Sequence, residues 1–202
     1  TDGSVPNVNS NPYTSPLQID QTTVIRAVSI EEGKLPGKVY TVTFIIGDQH
    51  QLPVVSLVTD PDNLWGPDGI YKNDLSVKEI QVPAHVSYSG ADGSFSINCA
   101  LNLHGATTVK VFPKKTFAVR FQDRYDGPLH YDVFEDGVVT DYSSLLIRTA
   151  YESTYSSQMH DAFICHVAAC NSDKLISQKI GIPAYVAEDA VSCVAIGTGK
   201  AL

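Results

Sequence analysis

Two stretches near the start of the chain, Thr22–Ser29 and Lys38–Ile46, are rich in β-branched and aromatic residues and read as strands. The polar run Glu31-Glu32-Gly33-Lys34-Leu35-Pro36-Gly37 between them reads as a hairpin loop. In the second stretch Val39, Thr41 and Thr43 alternate with Tyr40, Val42 and Phe44, so one face is the more apolar. A two-stranded ribbon is marginal alone, so this piece needs partners and reads as the remainder of a small β-sandwich. Further on, Val54–Val58 is a short apolar run suited to a buried strand. Asp60-Pro61-Asp62 and Gly66-Pro67-Asp68-Gly69 read as turns around Leu64 and Trp65. A hairpin is expected from Ala84–Tyr88, a turn at Ser89-Gly90-Ala91-Asp92-Gly93 and a strand near Phe95–Ile97. Leu101–His104, Thr116–Phe121 and Ser144–Arg148 are further strand candidates.

The first helical signal comes late: Ser156 caps a segment in which Met159, Phe163 and Val167 share one face. After it, Asp173–Gln178 reads as a helix end, Ile182–Val186 as a strand and Ala190–Leu202 as a loop then a helix. The pattern is α+β and mainly antiparallel β, with a short α/β tail.

Composition narrows the classes. The 202 residues include 43% hydrophobic and 18% charged residues, as in an ordinary globular chain. Twenty-two acids against 14 bases argue against nucleic acid as a partner. No apolar run is long enough to span a membrane. In residues 171–202, Lys174, Lys179 and Lys200 balance Asp173, Glu188 and Asp189, so the whole net charge of −8 lies before them. That break marks a join near Cys170. Four scattered cysteines without a C-x-x-C pair suggest neither a disulfide framework nor a zinc site. With no initiator Met and no signal segment at Thr1-Asp2-Gly3-Ser4, the chain is expected to start mid-protein or after processing.

The candidate chemistry gathers at Lys115. Lys110, Lys114, Lys115, Arg120 and Arg124 face only Asp123 between positions 110 and 124, a basic stretch in an acidic chain. If Thr116–Phe121 is a strand, Lys115 shares the parity of Phe117, Val119 and Phe121 and heads an apolar face. An ammonium there needs a counter-charge or an escape to solvent. Glu152 and Asp161 are the acids considered for that part. Just upstream, His104-Gly105-Ala106-Thr107-Thr108 joins two strands. A glycine with hydroxyl neighbours brings backbone N–H groups close to phosphate oxygens, although an ordinary turn has the same composition.

Other patterns fail on inspection. Gly197-Thr198-Gly199-Lys200 lacks the first glycine and the final hydroxyl of a phosphate loop. Asp60 to Gly69 lacks calcium-loop spacing. His160 and His166 fall on different helix faces, which disfavours a shared metal. No G-x-S-x-G motif occurs, and Cys165 and Cys170 read as small buried or half-buried thiols.

Three resemblances follow. Residues 51–169 resemble the spore-coat protein H (CotH) kinase family, on Leu52-Pro53-Val54-Val55-Ser56-Leu57-Val58-Thr59-Asp60-Pro61-Asp62-Asn63-Leu64, Gly69-Ile70-Tyr71, Leu101-Asn102-Leu103-His104-Gly105, Pro113-Lys114-Lys115-Thr116-Phe117 and Leu145-Leu146-Ile147-Arg148. Thr1-Asp2-Gly3-Ser4-Val5-Pro6 and Thr22-Thr23-Val24-Ile25-Arg26-Ala27 resemble the end of the small β-sandwich at the C-terminus of chitobiase-type hexosaminidases, without its leading strands. Residues 171–202 resemble the C-terminus of the bacterial actin MreB, on Asp173-Lys174-Leu175-Ile176-Ser177, Gly181-Ile182-Pro183, Val186-Ala187-Glu188-Asp189 and Cys193 to Leu202.

The resemblances imply a truncated sandwich at 1–50, a CotH-like kinase N-terminal lobe with one helix at 51–170, and an MreB-like segment at 171–202. A fused reading frame with its junction near Ala169–Ser172 is expected. The CotH likeness implies ATP and Mg²⁺ as cofactors and a coat or surface protein as the Ser/Thr phosphoacceptor. It makes Lys115 the phosphate contact, with Gly105, Thr107 and Thr108 lining the nucleotide. It also implies that the acids completing transfer lie beyond the matching stretch; no H-R-D-x-x-x-x-N or D-F-G pattern replaces them here. Nucleotide binding is therefore expected to be weak and catalysis negligible. The implied location is the spore coat or cell surface, although the relatives of the tail are cytoplasmic. The rival reading is a non-enzymatic surface module that binds glycans.

Overall fold

β-Branched, alternating stretches form the strands of the computed structural model, which describes residues 3–47, 52–75, 80–90, 93–134 and 139–149. The chain divides into two units, Thr1–Thr149 and Ala150–Leu202, and the second lies outside the described residues. The expected helix after Ser156, Glu152, Asp161, His160, His166, Cys165, Cys170, Cys193 and the whole α/β tail therefore lie outside them too.

β1 (Thr23–Ala27) and β2 (Tyr40–Phe44) form an antiparallel ribbon with Thr23 opposite Phe44 and Ala27 opposite Tyr40. A five-stranded antiparallel sheet follows, in the order β3-β4-β5-β6-β9. Its strands are β3 (Val54–Thr59), β4 (Val82–Ser89), β5 (Ser94–His104), β6 (Thr116–Arg120) and β9 (Ser144–Ile147). One-turn helices α1 (Pro61–Trp65) and α2 (Thr107–Val111) lie in its connections. A two-residue pair, β7 (Leu129–His130) with β8 (Asp141–Tyr142), lies between β6 and β9. The described residues are thus mainly antiparallel β. No helix among them is long and apolar enough to cross a membrane.

Three details depart from the pattern. Phe95–Ile97 and Leu101–His104 belong to one strand, the eleven-residue β5, because Ser96, Asn98, Ala100 and Asn102 alternate with Ile97, Cys99, Leu101 and Leu103. The Asp60 turn is a helix start: its Oδ1 accepts from the Asp62 N–H at 3.0 Å, and Pro61 occupies the first turn. The more apolar face of β2 points outward, with Tyr40, Val42 and Phe44 exposed. The ribbon turns its polar face toward the sheet instead, where Thr43 and Ser56 hydroxyls bond at 2.7 Å.

The sheet itself has one apolar and one polar face. Val86 opposes Ile97, and Leu101 opposes Val119, on the side that buries Ala84, Cys99, Phe121 and Leu129. Cys99 is fully buried, and burial pushes its thiol up to about 12. Iodoacetamide at pH 8 is expected to spare Cys99 in the native chain and modify it in urea, as peptide mapping would show.

On the other face, Ser87 opposes both Ser56 and Ser96, and His85 opposes Asn98. The Asn98 backbone N–H donates to Asp126 at 2.9 Å, and Asp126 pairs with Lys38 from the ribbon. Burial raises the Asp126 carboxyl, but Lys38 and the Asn98 amide outweigh it and hold the group below the usual carboxylate range. Burial also lowers the His85 pKa, as do Arg26 and Lys38, against opposing effects of Asn98 and Asp126. An unfolded His takes a proton near pH 6.5, whereas folded His85 takes it only at lower pH. Between those values the unfolded chain binds more protons, so His85's stability contribution is present above pH 6.5 and lost as pH falls through the folded pKa. His85→Gln is expected to flatten that slope in urea titrations run from pH 7 to 5.

Candidate functional site

Lys115 stands one residue before β6, where strand parity sends its side chain to the apolar face, and it is buried to 9% exposure. Its ammonium is held in place. The Asp74 carboxylate pairs with it, and the Val109 carbonyl accepts from it at 2.5 Å. The Tyr71 ring centroid lies 5.3 Å away, within cation–π range. Tyr71 donates its hydroxyl to the Pro113 carbonyl at 2.6 Å and packs at a tilt against Trp65, with ring centroids 4.5 Å apart. Lys115 therefore ties together the loop after α1, helix α2 and the start of β6. At the same end, the Thr149 N–H donates to the Thr116 hydroxyl at 3.1 Å, joining the segment after β9 to β6.

The loop that delivers Asp74 is fixed by its own backbone. The Ile70 N–H donates to Asn63 at 2.9 Å, Lys72 to Leu64 at 3.0 Å and Leu75 to Ile70 at 3.0 Å. Gly69 lies so close that an added Cβ would sit 2.3 Å from the Leu64 carbonyl oxygen. The Asn73 side chain donates to Pro67 at 2.8 Å and to Gly69 at 2.9 Å. Asp74 follows at φ 53°, a left-handed conformation that Asp tolerates better than most residues. Beneath it, Ile70, Leu103 and Val109 form a small buried cluster.

Gly105, Thr107 and Thr108 occupy the turn into α2 and its first residues. They are expected in a loop, but Thr107 and Thr108 are helical. Thr-Thr-Val-Lys-Val is a poor helix former, so tertiary contacts hold this turn: Val109 is buried and its carbonyl accepts from Lys115. Thr107 is exposed and Thr108 half-buried. Gly105 has φ 117°, and a Cβ there would sit 2.4 Å from the Thr108 hydroxyl. Gly105→Ala is expected to cost about 1–3 kcal/mol in urea melts through backbone strain. Lys115 and α2 thus meet through Val109.

The counter-charge that the buried lysine needs is Asp74, which lies 41 positions upstream. Asp74 and the contact of Tyr71 with Lys115 both escape sequence reading. Only Lys115's demand for an acid points toward Asp74. Among the described residues, no three His, Cys, Asp or Glu side chains gather as a metal centre would require.

The described architecture is thus an antiparallel β unit with a buried lysine paired to a partly exposed aspartate at one end. The family model for the chitobiase/beta-hexosaminidase C-terminal domain matches residues 1–41, which include β1 and the start of β2. No curated protein and no solved structure matches the chain.

Proposed function

We propose that residues 51–149 grip the phosphates of a nucleotide, as the ATP-binding part of a CotH-type protein kinase that modifies Ser or Thr on a spore-coat or cell-surface protein. The observation that carries the reading is the buried Lys115 ammonium, paired with Asp74 and in contact with the helix that bears Thr107 and Thr108. A kinase uses a strand lysine and an acidic partner in this way: the acid fixes the ammonium, and the ammonium meets phosphate oxygens. An ammonium has three protons. Asp74 and Val109 take two, which leaves one for a phosphate oxygen. Gly105 allows close approach of the backbone at the turn, and the exposed Thr107 hydroxyl is free to face a ligand.

A magnesium site is another matter. Octahedral Mg²⁺ needs several oxygen ligands, and among the described residues Asp74 is already engaged by Lys115. These residues do not fit the ion, so no step is assigned to it. The reading is therefore a phosphate grip without efficient transfer.

Calorimetric titration of the whole chain with ATP tests this. A Kd of about 1 mM is expected, weakened at least tenfold in Lys115→Met. Equal affinity in both forms would remove Lys115 from the site.

A second reading is favoured by the match at residues 1–41: a surface module that associates with carbohydrate and does no chemistry. Pull-down on chitin and peptidoglycan checks it, and retention abolished by deleting residues 1–47 would support it.

A further inference from the structure

On the polar face of the sheet, away from Lys115, three side chains form a hydrogen-bonded relay. The exposed Ser96 hydroxyl lies 2.8 Å from His85 Nε2, and His85 Nδ1 lies 2.9 Å from Asn98 Oδ1. We propose that Ser96, His85 and Asn98 form a nucleophilic site that cleaves small carboxylic esters by acyl transfer through Ser96. This proposal is independent of the nucleotide reading.

The roles follow from the hydrogen bonds. With Asn98 Oδ1 as the acceptor, the imidazole proton sits on Nδ1. Nε2 then presents its lone pair to Ser96, as a general base must. His85 is 6% exposed, and burial favours its neutral, basic form. Ser96 itself is open to solvent and lines a groove of about 250 Å³, together with Ser56, Ser87, Tyr88, Phe95 and Val42. Both hydroxyl-bearing and apolar residues line that groove, which suits a short acyl chain next to a polar carbonyl. Ser87 stands directly opposite Ser96 on the same face, where its hydroxyl can donate to the carbonyl oxygen as negative charge develops.

The step balances without any further reactant. Ser96 Oγ attacks the ester carbon while its proton moves to His85 Nε2. The tetrahedral intermediate expels the alkoxide, which takes that proton and leaves as the alcohol. Water then attacks the acyl-serine, giving a proton to Nε2. Cleavage of the acyl–Oγ bond releases the acid, and Ser96 recovers its proton.

The whole chain should be incubated with a fluorophosphonate serine probe, digested and mapped, with p-nitrophenyl acetate hydrolysis measured in parallel. A single adduct on Ser96 of the folded chain, absent after urea, is expected. Hydrolysis about 10²-fold above that of Ser96→Ala is also expected. It should persist below the ordinary imidazole range and decline only at the lower pH where buried His85 takes a proton. Ser96 is exposed, so Ser96→Ala keeps the fold, and the adduct map needs no variant at all. No adduct on Ser96, or hydrolysis unchanged in Ser96→Ala, would overturn the proposal and leave the relay a purely structural pairing of β4 with β5.

Discussion

Leu101→Ala is expected to destabilise the chain by about 2–5 kcal/mol, the largest single effect in the sheet. Leu101 is fully buried at the centre of β5. It opposes Val82 on one side and Val119 on the other. Truncation removes buried methyl groups and leaves a cavity that two paired strands cannot collapse into, because both are pinned by backbone ladders. Such a loss is a large share of the ~5–15 kcal/mol that holds a typical domain together. Urea unfolding followed by Trp65 fluorescence should show a lower midpoint with an unchanged slope. A loss under about 1 kcal/mol would contradict the packing of Leu101 in the core of the sheet.

Asp74→Ala should produce the second large effect, about 2–4 kcal/mol. Removing the carboxylate takes the only counter-charge among its described contacts from an ammonium whose side chain is 8% exposed, leaving it the Val109 carbonyl and the Tyr71 ring. Lys115→Met should cost less, about 1–3 kcal/mol. Methionine refills the aliphatic volume, and the abandoned Asp74 side chain is 39% exposed, so water recovers part of its solvation. Combining the two changes should cost less than their sum, with a coupling of about 1–3 kcal/mol. Additive costs would show that the pair contributes packing and not charge. Sustained phosphorylation of casein by the chain would separately refute the view that it grips phosphate without efficient transfer.

The strands were legible where apolar and β-branched residues concentrate. Val54–Thr59, Thr116–Arg120 and Ser144–Ile147 lie within a residue or two of their expected bounds. β5 was read as two strands because Asn98 and Ala100 are poor strand formers, yet Asn98 is satisfied there by His85. β7 and β8 have two residues each, too few for any periodicity. Both helices are single turns and carry no amphipathic signal; Asp60 caps α1 locally, whereas α2 is held by Lys115 through a contact that no local pattern encodes.

At the candidate site, strand parity put Lys115 on the apolar face, where it needed either an acid or an escape to solvent. It did not say which acid, because Asp74 arrives on an irregular loop shaped by backbone hydrogen bonds. The His85–Ser96–Asn98 relay was invisible for a related reason. Its members become neighbours only once β4 and β5 pair in one register.

The most direct measurement is heteronuclear NMR of the chain labelled with ε-¹⁵N-lysine. Lys115 should give an ammonium signal that is slow to exchange with water, absent from Lys115→Met. ATP at millimolar concentration should shift it progressively, and adenosine should leave it in place, because the contact is with phosphate. A Lys115 signal that ignores ATP, or that moves equally with adenosine, would contradict the phosphate grip.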